Sequence, residues 1–268
     1  MTLCDTFKRL ALHTWHFVHD SRLSKFQLKE ETVTDLNMLA IKQLHSREVH
    51  MQAFTKREEG KNGADWEWWF TNASNQWIGF RVQAKIINIA SNEFEHLHYK
   101  SPTTGTIQCD NLIKEALANP YPKIPLYCLY LQTDDTGELP QWNCPTVVPI
   151  NYLWGCSLAS AFSVKRLRAA SEKHLTHLEP YLRMWHCLVC CTGHGGRNSI
   201  ERINNYSSIN FGIDSEAATE LGLEVPDSFI IDTPPPYVLN ILTNDNIGDI
   251  LPPDNLGGVL IYTFDDAK

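Results

Sequence analysis

The chain has 268 residues, 43% of them hydrophobic and 20% charged, with a formal net charge of −8. That is ordinary globular composition, with ample apolar material for a core, and the acidic balance argues against a protein that coats nucleic acid indiscriminately. No run reaches the roughly 18 apolar residues of a membrane span, so membrane insertion is not expected. Residues 5–20 predict an amphipathic helix, with Phe7, Leu10, Leu12, Trp15 and Phe17 among its apolar positions. Its polar–apolar alternation lacks a signal peptide's uniform apolar stretch, which leads us to expect a cytoplasmic location. Residues 30–45, EETVTDLNMLAIKQLH, predict a second helix with Val33, Leu36, Leu39, Ala40 and Leu44 on its apolar face. Three strands follow, over 48–55, 65–71 and 77–87, the last two joined by the short turn NASNQ. Residues 106–119 read as a helix closed by Pro120 and Pro122, and 124–133 as a buried strand.

The second half is less regular. We expect a loop over 136–149, a helix over about 158–175, an apolar strand over 184–192, helix-like ATELGL and YVLNIL, and a final strand GGVLIYTF. The expected organisation is a core over 1–135 and an αβ extension over 136–268 packed on it. Eight cysteines in mostly apolar surroundings are too few for a disulfide scaffold of this size, and they read as reduced thiols. Two basic clusters, Lys56/Arg57/Lys61 and Lys165/Arg166/Arg168, read as solvated faces.

The chemistry-bearing stretch is NGADWEWWFTNASNQWIGFRVQAK, residues 62–85. Charges at strand centres are costly unless paired, metal-bound or functional. Strand alternation puts Asp65, Glu67 and Trp69 on one face, and Arg81, Gln83 and Lys85 on one face of the next strand. Hairpin pairing brings Asp65 beside Gln83 and Lys85. Glu31 and Asp35, four apart on the second helix, add carboxylates, with Thr34 beside them. We take Glu31 over Glu30 because of its Asp35 neighbour. Hard oxygens with a lysine suit Mg²⁺ or Mn²⁺, an ion that needs only one or two carboxylates and keeps several waters. The lysine then offsets charge on a phosphate. Trp66, Trp68 and Trp69 read as packing.

A helical Glu, a strand Asp and a (Glu/Gln)-x-Lys on the next strand resemble the signature of the PD-(D/E)XK nuclease superfamily, whose core runs αβββαβ. Gly63-Ala64-Asp65 and Val82-Gln83-Ala84-Lys85 are similar to its Mrr-type Gln-x-Lys variant. Ala64 stands where a proline is usual, and Gln83 where the family more often has Glu. The blocks EETxTDLN, NGADWEWW and RVQAK also resemble an uncharacterised bacterial family. The resemblance spans roughly residues 20–135. It implies an α/β fold with a restriction endonuclease-like mixed sheet flanked by helices. It also implies a metal-dependent endonuclease, with Asp65, Gln83 and Glu31 as metal ligands and Lys85 as the catalytic lysine. Gln108 falls where relatives carry a polar residue. DNA is the implied partner, a homo-oligomer is expected for cutting both strands, and anti-phage defence is the associated setting. The alternative is an inactive fold of the same kind that binds nucleic acid or a protein.

Two rival motifs were weighed. His186-Cys187, Cys190-Cys191 and His194 have zinc-like spacings, but the sulfurs lie in an apolar run and no matching second pair follows, so buried thiols are expected. Gly155-Cys156-Ser157-Leu158-Ala159 with Gly193-His194-Gly195-Gly196 hints at a serine hydrolase, yet the order is reversed and the second glycine is absent.

Overall fold

The computed structural model describes residues 1–54, 65–141, 144, 147–191, 193–243 and 256–266. Lys56, Arg57, Lys61, Gly63 and Ala64 lie outside the described residues. The order is α1 (Leu3–Leu23), α2 (Glu30–Leu44), β1 (Val49–Ala53), β2 (Trp66–Asn72), β3 (Trp77–Ile86), α3 (Gln108–Leu117) and β4 (Ile124–Tyr130). Then come β5 (Cys156–Ser160), α4 (Ala161–Ala169), α5 (Leu175–Leu178), β6 (Arg183–Met184), α6 (Cys187–Cys190) and α7 (Ser199–Asn210). The last elements are α8 (Ser215–Glu220), β7 (Ile230–Ile231), α9 (Pro236–Thr243) and β8 (Gly258–Phe264). Among the described residues, no helix is long and apolar enough to cross a membrane.

The protein is an α/β molecule with one open mixed sheet of eight strands, flanked by helices. Seven strands run in the order β1-β8-β2-β3-β4-β5-β6, and β7 pairs with the start of β3. β2 and β3 form an antiparallel hairpin, and β3 runs parallel to β4 through α3. The C-terminal half enters this same sheet. β5 and β6 extend it beyond β4, while β8 lies between β1 and β2, antiparallel to one and parallel to the other.

One sheet face is covered by α1 and α2. Phe7 packs against Trp68 and stacks on Trp185, and the Trp185 indole donates to the Phe7 carbonyl at 2.7 Å. α2 does not bury the face expected of it: Leu36, Leu39 and Leu44 are exposed, while Val33, Thr34, Asn37, Met38 and Ile41 are buried. The polar residues among these are matched from across the interface. Thr34 shares a 2.9 Å hydrogen bond with the Tyr130 hydroxyl, and Asn37 donates to Thr14 at 3.3 Å. Satisfied polar groups are tolerated inside, so polarity alone misplaces the buried stripe.

Three further expectations are corrected. The helix over 158–175 begins as β5, and its helical part stops at Ala169. The apolar run 184–192 is a two-residue strand followed by the helical turn α6. Cys4 and Cys190 are joined by a disulfide, with Cα atoms 5.2 Å apart, so not all eight thiols are reduced. The bridge ties the start of α1 to α6. The basic cluster on α4 is neutralised: Lys165 and Arg168 face Asp110, and Arg166 donates to Asp214 at 2.6 Å. Ser157 is buried in β5 with its hydroxyl donated to the Trp154 carbonyl at 2.8 Å, and the His194 ring lies edge-on to Tyr206. Gly155 is explained by packing, since a Cβ there would sit 2.1 Å from the Ala11 carbonyl oxygen.

Candidate functional site

Asp65 is the last residue before β2, one step beyond the Trp66–Val82 pair of the hairpin. Its N–H donates to the Val82 carbonyl at 2.9 Å, and its carboxylate then stands in for the next backbone acceptor. Oδ2 accepts from the Ala84 N–H at 2.5 Å and from the Gln83 amide nitrogen at 2.7 Å. The aspartate therefore closes the ladder while keeping Oδ1 without a hydrogen bond among the described residues. Gln83 and Lys85, two apart on β3, share a face and are both buried.

The first turn of α2 stands over this end of the hairpin and divides two clefts. One, of about 550 Å³, is lined by Glu31, Asp35, Met38, Asp65, Trp66 and residues of β1 and β8. The other, of about 280 Å³, is lined by Glu30, Lys85, Asn88, Glu95 and His96 among others. Glu30 is the carboxylate that approaches Lys85, at 3.9 Å. Glu31, expected to be the helix acid, lies one helical step round and lines the Asp65 cleft instead, with Asp35. The structure thus gathers Asp65, Gln83 and Lys85, sets Glu30 against the lysine, and puts Glu31 on the far side of the dividing turn. Gln108 opens α3 with its Oε1 buried and unpartnered among the described residues, and lines neither cleft.

Electrostatics mark the same residues. Burial pushes the Asp65 carboxyl up from 3.8 to about 6, opposed by Lys85 and by the Ala84 hydrogen bond. Burial likewise pulls the Lys85 ammonium below its ordinary value, opposed by Asp65 and Glu30. Each group is a charge held against its solvation cost, as at sites built for chemistry.

Two residues further along the same strand, a second carboxylate behaves in the opposite way. Glu67 is wholly buried and accepts from Arg81 at 2.7 Å, the Trp69 indole at 2.9 Å and the Tyr237 hydroxyl at 2.6 Å, with Lys123 at 3.8 Å. Burial raises its carboxyl, but Lys123 and Arg81, together with the Tyr237 and Trp69 hydrogen bonds, more than offset that and hold it below the usual range. This network was missed in the sequence because its parts come from β2, β3, the residue before β4, and α9; only the repeated charge on one strand face hinted at it.

The site fits a hydrated divalent cation only sparsely. Its donors are hard oxygens, namely the Asp65 Oδ1, the Gln83 amide oxygen and the nearby Glu30 and Glu31 carboxylates. No three carboxylates converge there among the described residues. An ion held by one or two protein oxygens keeps the rest of its water shell, which is ordinary for Mg²⁺.

The fold and the site define an α/β protein with a carboxylate, an amide and a lysine gathered at the open end of a central hairpin. The chain belongs to a family of unknown function (DUF6615), whose model matches residues 3–267. No curated protein and no solved structure matches it.

Proposed function

We propose that the protein is a metal-dependent nuclease of the restriction endonuclease-like kind, hydrolysing phosphodiester bonds in DNA. The observation that carries this reading is the Asp65–Gln83–Lys85 cluster at the end of β2 and β3, with a depressed lysine and a raised aspartate facing open clefts. The run α2-β1-β2-β3-α3-β4, with β3 parallel to β4, supports it as the αβββαβ arrangement in which such clusters occur.

In this reading Asp65 and Gln83 hold the ion through Oδ1 and the amide oxygen, with a carboxylate of the α2 first turn contributing from the cleft wall. Mg²⁺ or Mn²⁺ bound there supplies Lewis-acid charge to a phosphodiester. Lys85 places a cation at the cleft and, with its ammonium pulled down toward neutrality, moves a proton at Nζ with less resistance than a solvated lysine. Glu30 holds Lys85 on the side of the smaller cleft. The Ala84 N–H fixes Asp65, so the first ligand is rigid before any ion arrives.

A second reading, a fold of this kind that binds without cutting, has one observation in its favour: the Gln83 amide already satisfies Asp65 by a 2.7 Å hydrogen bond. Cleavage of plasmid, single-stranded DNA and RNA in Mg²⁺, Mn²⁺ or EDTA separates the two. The nuclease reading requires cutting in metal that EDTA, Asp65→Ala and Lys85→Ala each abolish. Intact substrate in every condition, with gel-shift binding retained, establishes the second reading. Anti-phage action follows from the first alone: cells expressing the protein should lower phage yield, and the Lys85→Ala form should not.

A further inference from the structure

Cys144, Cys187 and Cys191 lie within 4.8 Å of one another at their sulfurs, and all three are buried. They come from two places in the chain. α6 is a single helical turn in which the Cys191 N–H donates to the Cys187 carbonyl at 3.1 Å, so these two thiols, four residues apart, rise on one side. Cys144 arrives from the loop before β5. His186 precedes the turn, is wholly buried, and brings Nε2 beside two of these sulfurs: it lies 3.8 Å from the Cys144 sulfur and 3.7 Å from that of Cys187. The Cys144 and Cys191 sulfurs are 3.9 Å apart.

The three separations 3.7, 3.8 and 3.9 Å each match an edge of a tetrahedron. With Zn–S near 2.3 Å and Zn–N near 2.0–2.1 Å, tetrahedral geometry places sulfurs about 3.8 Å apart and a sulfur about 3.6 Å from the nitrogen. Thiols are weak hydrogen-bond donors, so three of them crowded against one imidazole gain little from one another. His186 Nδ1 is buried and unpartnered among the described residues, so no hydrogen bond from them on the far side of the ring explains the ring's orientation. We propose that Cys144, His186, Cys187 and Cys191 form a structural zinc site of the Cys3His type.

The ion closes all four positions of a tetrahedron, leaving none for substrate, and so acts as a clamp. It fastens the Cys144 loop to one side of α6, while the Cys4–Cys190 bridge fastens α1 to the next residue of the same turn. Cys190 is thus removed from the ligand set that the spacing alone suggested, and His194 is occupied with Tyr206. The third sulfur is supplied from more than forty residues upstream, at a distance no local motif encodes.

The test uses the full chain purified under reducing conditions without added metal. Elemental analysis should find about one zinc per chain, and Co²⁺ exchange should give visible d–d bands of tetrahedral coordination with near-ultraviolet sulfur-to-cobalt charge transfer. Cys144→Ser and Cys191→Ser should each retain less than about a tenth of the zinc, whereas Asp65→Ala should keep all of it, which separates this ion from the one proposed at Asp65. His186→Ala should alter the cobalt spectrum without abolishing charge transfer. A folded wild-type chain that takes up neither zinc nor cobalt overturns the proposal, as does full zinc retention by both serine variants. A Cys144–Cys191 disulfide found by mass spectrometry of the unreduced protein overturns it too. Should the serine variants fail to fold, the wild-type cobalt spectrum decides alone.

Discussion

Asp65→Asn should stabilise the metal-free protein, and the size of the gain should depend on pH. The Asp65 carboxyl titrates near 6 in the folded chain against 3.8 as its ordinary value. A carboxyl raised by folding binds its proton more tightly in the native state. Its contribution is fully present below the unfolded value and is lost as pH rises through the folded one. At 1.36 kcal/mol per unit, the ionised residue costs about 3 kcal/mol above pH 7, and nothing below about pH 3.8. Asparagine keeps an oxygen for the Ala84 N–H and the Gln83 amide but carries no charge. In EDTA at pH 7.5 the variant should gain about 1–3 kcal/mol, or several degrees in Tm for a chain of this size, with the gain fading toward pH 4. Urea denaturation of both forms at a series of pH values measures this directly. Mg²⁺ should then raise the midpoint of the wild type and leave that of the variant unmoved. A variant destabilised at every pH, or a gain that does not vary with pH, would show that the aspartate is a satisfied ladder cap and not a strained charge.

Glu67→Ala leaves Arg81 and Lys123 buried without their counter-charge, and should cost about 3–5 kcal/mol in urea denaturation; an unchanged midpoint would mean that the network is solvated. Gly155→Ala puts a Cβ 2.1 Å from the Ala11 carbonyl oxygen and 2.6 Å from the Trp15 nitrogen, both backbone atoms that move only with α1. A loss of about 1–3 kcal/mol is expected by thermal denaturation, and an unaltered Tm would show α1 seated otherwise. Glu30→Gln should reduce metal-dependent cleavage about 10-fold or more by releasing Lys85, whereas Glu31→Gln should have the smaller effect; the reverse order in a plasmid assay would assign the helix acid to Glu31.

The hairpin was readable because its signals are local. Aromatic and β-branched residues flank a short polar turn, and a period of two fixes which side chains meet once that turn is placed. Asp65, Gln83 and Lys85 therefore converge as the alternation requires. Which of the two glutamates meets Lys85 was not readable, because Glu30 and Glu31 are adjacent on a helix and differ only in direction by about 100°. Only the docking of α2, through Thr34 on Tyr130 and Asn37 on Thr14, selects Glu30 for Lys85. Nor could the sequence show β8 entering between β1 and β2. That placement joins residues some two hundred positions apart, and the segment GVLIYTF would look the same at any place in a buried sheet. α6 was hidden for a related reason: an apolar run of nine residues suits a strand or a buried helical turn equally.

Asp65 and Glu67 are two residues apart on one strand and face the same side of the sheet, yet their surroundings drive them in opposite directions. Glu67 meets a guanidinium, an ammonium, an indole and a phenol, which satisfy both of its oxygens and keep it ionised in a sealed interior. Among the described residues, Asp65 meets only an amide and a backbone N–H, both on one oxygen, and it lines a cleft. Lys85 lies close enough to oppose the upward shift but forms no ion pair with it within 4.0 Å among the described residues. A carboxylate meant only for stability would be expected in the first environment, since leaving a buried charge half satisfied costs more than it returns. Carboxylates pushed apart in this way suit different tasks: the surroundings of Glu67 suit holding the sheet, and those of Asp65 suit the ligand proposed for it. The Asp65 oxygen left without a hydrogen bond among the described residues, set beside a lysine with a lowered pKa, thus supports the proposed cation and phosphate more strongly than the motif spacing alone.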